Sequence, residues 1–154
     1  MRTSPVAALL VCALLSAGCE DPCAADGTDG LAGFELDCDA LEFRIDAVAT
    51  RLVLTGADGG QITLEMTPVH TLSQGTRFET GGEFDAAGNH VDPDGAIAPV
   101  AEAWVEISAW EATDGEAHGQ LVAFEFHVEV ESTSRFAGGE LDGQAASVPV
   151  YSSE

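Results

Sequence analysis

The acidic segment between residues 85 and 94 contains the residue types closest to those of a metal site. Gly88 lies among its four oxygen donors, and Gly95 follows them; the donors are Asp85, Asn89, Asp92 and Asp94. Calcium requires carboxylate and amide oxygens of this kind, held on a flexible loop. The spacing departs from D-x-[DN]-x-[DN]-G, however, and Asp, Asn, Pro and Gly are also ordinary turn residues. We therefore expect a long loop without an assigned metal ligand, with calcium binding at residues 85–95 as the alternative.

The four histidines lack the HxH and HExxH spacings that are typical of zinc or copper sites. Three of them fall in or beside predicted loops, namely His70, His90 and His118. The fourth, His127, projects from the polar face of a predicted strand between two glutamates. We expect solvated histidines that bind no metal.

No set of residues predicts a catalytic centre. In a chain with 27 acidic residues, some carboxylate pair always falls at the separation that glycoside hydrolysis needs, so such a pair is uninformative. There is no GxSxG motif, and no grouping of Ser with His stands out. The chain also has no lysine, which excludes a P-loop lysine and Schiff-base chemistry. We expect no catalytic residue, no cofactor and no enzymatic activity.

Two tryptophans give the chain a candidate binding surface. Trp104 and Trp110 share the parity of one predicted strand with Glu106 and Ser108. If this mixed face is exposed, the indoles form a platform for a sugar or a protein partner. If it is buried, they belong to the core, which we favour because large aromatic residues dominate β-sandwich interiors.

Cys19 ends an N-terminal segment that is typical of an exported protein. Arg2 precedes an uncharged stretch from Val6 to Leu15. That stretch has about half of the ~20 apolar residues that a membrane-spanning helix needs. Small residues then lead directly into the cysteine, in the order Leu15-Ser16-Ala17-Gly18-Cys19. An ordinary secretory signal with a small-residue cleavage site is the alternative to lipid attachment.

The segment Leu15–Cys19 resembles the lipobox of bacterial lipoproteins, in which small residues precede a lipidated cysteine. The lipobox favours a large aliphatic residue three positions before the cysteine, and Ser16 stands there instead. The resemblance implies removal of residues 1–18 and a diacylglyceryl thioether on Cys19. It also implies an exported protein, anchored in a membrane of the bacterial envelope on its periplasmic face or at the cell surface.

Cys23 and Cys38 remain after Cys12 leaves with the signal and Cys19 takes the lipid. An even pair of cysteines in an oxidising compartment predicts a disulfide. Two free or metal-binding thiols are the alternative, but the pair lacks CxxC spacing and a neighbouring histidine. The bridge would close a loop of about 15 residues and stabilise the fold by roughly 3 kcal/mol.

The charge of the exported part is strongly negative. Residues 19–154 keep four arginines against 27 Asp and Glu, a net charge of −23. Such a surface repels nucleic acid and anionic headgroups, so we expect no nucleic-acid partner. Solubility or salt tolerance is the favoured interpretation of this acidity, and collection of divalent cations is the alternative.

Alternation of apolar and polar residues predicts an all-β domain. The clearest examples are residues 41–47 and Gln120–Val130, and GADGG between two β-rich runs predicts a hairpin. Further strands are predicted at residues 51–55, 61–66, 77–84, 103–110, 136–141 and 148–151. This pattern favours an antiparallel β-sandwich of about 7–9 strands, with a small β-barrel as the alternative.

The predicted organisation is a signal peptide over residues 1–18, a short acidic tether rich in Gly and Pro over 19–33, and one β-domain over 34–154. We expect a lipid-anchored envelope protein that acts as a non-enzymatic structural or binding module. Its contacts are the membrane, through the N-terminal lipid, and an unidentified protein or glycan. The alternative is a calcium-dependent or carbohydrate-binding lipoprotein that uses residues 85–95 or the face of Trp104 and Trp110.

Overall fold

The protein is all-β. A computed structural model describes residues 23–68, 73–112 and 120–152. Within these ranges there are two single-turn 3-10 helices, Asp29–Leu31 and Cys38–Ala40, and no α-helix. The nine strands are β1 (Cys23–Gly27), β2 (Glu42–Ile45), β3 (Thr50–Thr55), β4 (Gln61–Thr67), β5 (Arg77–Glu79), β6 (Asp85–Val91), β7 (Ile97–Ala112), β8 (Gln120–Val130) and β9 (Gly139–Ser152). The predicted all-β class is confirmed.

Seven of the strands close into a barrel, in the order β2-β3-β4-β6-β7-β8-β9 and back to β2. Neighbours pair antiparallel except β2 and β9, which close the ring as a parallel pair. The short strands β1 and β5 add to β9 and β7 beside the ring. The small β-barrel, the alternative architecture, is therefore the one that the chain adopts. Closure leaves the ring with no free edge.

The two longest strands each belong to two sheets. Residues 97–99 of β7 pair with β6, whereas Val100 and the residues after it pair with β8. In the same way, β9 pairs with β8 up to Pro149 and then with β2 from Val150. The barrel thus consists of two sheets that share β7 and β9, which explains why the strand pattern also suits a sandwich.

Two β-bulges in β7 decide which of its side chains face inward. One extra residue lies between Val100 and Glu102, and a second between Ile107 and Ala109, relative to the partner strand β8. Each bulge reverses the alternation of inward and outward side chains, because the side-chain period of a strand is two.

The core is built from the alternating faces of the ring strands. The inward residues of β8 are those that its alternation predicts, namely Val122, Phe124, Phe126, Val128 and Val130. They meet the opposite wall, where the rings of Phe43 and Phe124 lie 5.8 Å apart. Burial of each such large apolar side chain contributes about 1.5–3 kcal/mol of stabilisation.

The predicted hairpin at GADGG joins β3 to β4 and is confirmed. Gly59 has φ 92°, a conformation that glycine adopts without a steric penalty. The Asp58 carboxylate accepts a hydrogen bond from the Gly60 N–H at 3.0 Å and closes the turn.

The barrel begins earlier than the sequence predicts. Residues 19–33 are predicted as a tether, but Cys23–Gly27 pairs with β9, and Leu31 is 1% exposed within the core. The segment CAADG has no large apolar residue and therefore no detectable strand pattern. Its pairing depends on the edge of β9, which lies more than a hundred residues later in the chain. Only residues 20–22 separate Cys19 from β1 in the sequence.

Candidate functional site

The outer surface of β7, β8 and β9 carries the densest set of functional side chains in the described residues. The strand register places them in three rows across the sheet, which are Glu102–Glu129–Glu140, Trp104–His127–Asp142 and Glu106–Glu125–Gln144. We call these nine residues the β7–β9 face. All nine project outward because the apolar residues between them on β8 and β9 fill the core.

The middle row is a chain of contacts. The His127 Nδ1 atom lies 2.8 Å from the Asp142 Oδ1 atom, within hydrogen-bond distance. The His127 ring also stacks beside Trp104, with ring centroids 6.4 Å apart and planes 23° apart. Only 19% of the His127 side chain is exposed, so the prediction of a solvated histidine is wrong at this position.

Arg77 is the one cation that contacts this face among the described residues. Its guanidinium lies 4.5 Å from the centroid of the Trp104 ring, a cation–π contact. It also lies 3.3 Å from the Glu79 carboxylate and 3.4 Å from that of Glu106. The positive charge of Arg77 therefore lies on the Trp104 side of the face. It forms no ion pair with the row of Glu102, Glu129 and Glu140.

The row of glutamates and the histidine beside it form a candidate metal-binding group. One potential ligand atom from each of His127, Glu129 and Glu140 lies within 4.8 Å of the other two. Sequence spacing could not reveal this group, since Glu140 meets Glu129 only through the register of β8 against β9. The detectable signal was the alternation of Glu125, His127 and Glu129 on one strand.

Two hollows border the β7–β9 face. The first, of about 330 Å³, lies beside Trp104 and is also lined by Asp26, Glu125, Asp142 and Gln144. The second, of about 870 Å³, lies at the other end of the face, and its acidic residues are Asp29, Glu129, Glu131 and Glu140. The first volume is at the small end of the range for ligand pockets, and the second is well within it.

The two tryptophans do not share a face. Trp104 pairs with His127 on the outer surface, whereas Trp110 pairs with Val122 and packs against the core. The bulge between Ile107 and Ala109 reverses the strand parity between them. The predicted joint face of Trp104 and Trp110 is therefore wrong, and the preferred assignment to the core holds for Trp110 alone.

The acidic segment 85–94 is mainly a strand instead of the predicted loop. Asp85 and Asn89 belong to β6, and Asp92 follows it, so the extended backbone holds Asp85 and Asp92 about 20 Å apart. The Asp85 carboxylate accepts a hydrogen bond from Gly81 N–H. The Asp92 carboxylate accepts bonds from Asp94 N–H and Ala96 N–H. The structure therefore does not gather these donors into a calcium site.

His90 is also placed differently from the prediction. It is 2% exposed and faces into the barrel, where its ring lies 4.5 Å from that of Phe136. Among the described residues, no group hydrogen-bonds to its buried Nδ1 atom. Burial lowers the pKa of His90, because the charged ring would lose its hydration, while Asp92 and Asp58 oppose the shift.

Cys23 and Cys38 form the predicted disulfide, with Cα atoms 5.9 Å apart. The bridge joins β1 to the 3-10 turn that precedes β2. Cys19, His70 and His118 lie outside the described residues.

Comparison of the chain with protein-family models, with curated proteins and with solved structures found no match. Among the described residues, none of the helices is long and apolar enough to span a bilayer.

Proposed function

We propose that this protein is a lipid-anchored, non-enzymatic binding module of a bacterial envelope. The β7–β9 face is its binding surface. The observation that carries this proposal is Trp104, a half-buried indole on an otherwise polar outer face, beside a hollow of about 330 Å³. Exposed aromatic side chains within a polar surface are typical of recognition sites.

A glycan is the ligand class that this hollow suits best. Its lining combines the Trp104 indole with the carboxylates of Asp26, Glu125 and Asp142 and the Gln144 amide. Sugars are recognised by aromatic contact together with planar hydrogen-bonding groups of this kind. Because the Arg77 guanidinium lies over the Trp104 ring, the sugar would enter beside the indole instead of stacking on that face.

The anchor assignment rests on the lipobox-like segment Leu15–Cys19. The four steps from Cys19 to Cys23 span at most about 14 Å. β1 runs antiparallel to β9, and its first residue, Cys23, lies opposite Ala145, while its last residue, Gly27, lies opposite Leu141. With the anchor at Cys19, the membrane would then lie near the Cys23 end of β1. Glu129 and Glu140 lie towards the opposite end of the same strands, away from the anchor.

Metabolic labelling with a radioactive or alkyne-tagged fatty acid tests the anchor. We expect label and membrane fractionation for the wild-type chain and for Cys12→Ala, which alters a cysteine within the signal. We expect loss of both for Cys19→Ala. Equal labelling of Cys12→Ala and Cys19→Ala would contradict the assignment of Cys19.

A glycan array probed with the detergent-solubilised wild-type protein tests the ligand class. We expect binding to a defined group of glycans, with loss on Trp104→Ala and retention on Trp110→Phe, whose ring packs against the core. Binding that survives Trp104→Ala would exclude this hollow as the glycan site.

A further inference from the structure

We propose that His127, Glu129 and Glu140 bind one divalent transition-metal ion, with Zn²⁺ as the best fit. The site goes beyond the proposed glycan binding, since both of its carboxylate ligands line the other hollow of the β7–β9 face and it needs no sugar. Imidazole nitrogen and carboxylate oxygen are both ligands that Zn²⁺ accepts, whereas calcium and magnesium take oxygen ligands. The imidazole therefore favours a transition metal over the hard cations.

The three ligand atoms need only a small adjustment to close around an ion. They lie within 4.8 Å of one another. Around tetrahedral Zn²⁺, with bonds of about 2.1 Å, neighbouring ligand atoms are about 3.4 Å apart. Glu140 is exposed, so its side chain can rotate towards His127 and Glu129 without disturbing the core. Both strands are held in register on either side of these residues, which fixes the backbone of the site.

Asp142 orients the histidine for this role. Because its carboxylate takes the hydrogen bond of Nδ1, the lone pair of the other ring nitrogen, Nε2, remains available to a metal. A histidine that ligates a metal usually donates its second ring N–H to a carboxylate in this way. Trp104 stacks beside the same ring and restricts its rotation. Asp142 and Trp104 are thus positioning residues, and three protein ligands leave a fourth position open to water or to a partner.

The negative charges of the row Glu102–Glu129–Glu140 also favour a bound cation. Glu102 lies opposite Glu129, and Glu129 lies opposite Glu140, so three carboxylates cross three strands in register. Like charges directly opposite each other destabilise a sheet. Every arginine–carboxylate pair among the described residues uses other acids, namely Glu42, Glu65, Glu79 and Glu106. A divalent ion between Glu129 and Glu140 would relieve this repulsion.

The larger of the two hollows lies beside both glutamate ligands. An ion can therefore reach them from solvent, and a partner molecule has room to bind there. This hollow has a volume of about 870 Å³ and is lined by both glutamate ligands together with Asp29 and Glu131. Its negative field attracts cations to the site.

Titration calorimetry of the untagged, detergent-solubilised protein with ZnCl₂ tests the proposal, with CaCl₂ as the comparison. We expect one Zn²⁺ per chain, a Tm that rises with Zn²⁺ concentration, and weaker binding of Ca²⁺. Co²⁺ in place of Zn²⁺ should give the strong visible absorption of a four-coordinate nitrogen and oxygen site.

Glu129→Gln and Glu140→Gln should each abolish the Zn²⁺-dependent rise in Tm, and Asp142→Asn should weaken binding about 10–100-fold. The matched control is Glu83→Gln, an exposed glutamate between β5 and β6 that belongs to neither the ligand set nor the glycan hollow, which should bind Zn²⁺ like wild type. Circular dichroism checks that each variant is folded.

Two results would overturn the site: no Zn²⁺ binding by folded wild-type protein at millimolar metal, or equal binding by wild type and Glu140→Gln. Neither result bears on the fatty-acid label at Cys19 or on glycan binding beside Trp104, so the proposals fail separately.

Discussion

At the scale of single residues, His90 shows how the barrel interior changes the chemistry of a side chain. Its ring packs against Phe136, and its Nδ1 atom is buried without a hydrogen-bond partner among the described residues. Burial therefore favours the neutral ring and lowers its pKa. Two carboxylates, Asp92 and Asp58, act in the opposite direction but have smaller effects.

The lowered pKa of His90 predicts a loss of stability on acidification. In the unfolded chain the ring takes up a proton below about pH 6.5, whereas the buried ring in the folded chain stays neutral to lower pH. The contribution of His90 to the free energy of unfolding is therefore complete well above pH 6.5 and is lost as the pH falls through and below that value. His90→Leu should remove this contribution.

Urea unfolding at pH 7.5, 6.5 and 5.5 measures the effect, in a range where exposed carboxylates remain mostly ionised. We expect a smaller fall in the free energy of unfolding for His90→Leu than for wild type. An equal fall in the two proteins would show that His90 does not govern this pH dependence.

At the scale of elements, β1 depends on two long-range connections. It pairs with β9 along all five of its residues, and the disulfide from Cys23 joins it to the turn before β2. Its own residues are mostly small, so it contributes little apolar burial. The backbone pairing with β9 and the disulfide, more than apolar packing, hold β1 in the sheet.

Removal of the disulfide should therefore destabilise the fold. The double variant Cys23→Ala/Cys38→Ala is expected to lose about 3 kcal/mol of unfolding free energy, because the unfolded chain regains the freedom of a 15-residue loop. Urea unfolding of the oxidised wild type, the reduced wild type and the double variant measures this loss. The reduced wild type should resemble the double variant, and stability equal to that of the oxidised protein would contradict the prediction.

At the scale of the whole molecule, the barrel has two chemically different ends. At the end of β9 that lies beyond Ala145, the partner of Cys23, Tyr151 is 50% exposed, with the Arg44 guanidinium 5.9 Å from its ring. The other end carries the acidic hollow beside Glu129 and Glu140. For a protein anchored at Cys19, this asymmetry directs the acidic end away from anionic headgroups and places an aromatic residue and a cation near the bilayer.

Site-specific fluorescence tests this orientation in liposomes that hold the lipidated protein. A probe on the exposed Val48, in the turn after β2, should be quenched by brominated lipids more strongly than a probe on Ser132, beside the acidic hollow. Equal quenching at the two positions would contradict the proposed orientation. The comparison uses one protein and one membrane, so only the position of the probe differs.

Strand alternation and residue chemistry together allowed part of this structure to be predicted. The all-β class, the inward face of β8 and the turn at Gly59 follow from local patterns. The Cys23–Cys38 bridge follows from the cysteine count and the inferred compartment. The strand signal failed at β1, whose residues are small, and at β6, where Asp, Asn and Gly are typical of turns but the partners β4 and β7 hold an extended backbone.

The sequence by itself determined the strand content and the negative charge, because both depend on residue type and local order. Only the tertiary structure decided that the ring closes and that Trp104 and Trp110 lie on opposite faces of β7. It also decided that His127 contacts Asp142 and that Glu129 lies opposite Glu140. The reason is physical: bulges and cross-strand register depend on how distant strands pair, and a shift of one residue moves every side chain to the opposite face. The candidate site is a product of that register.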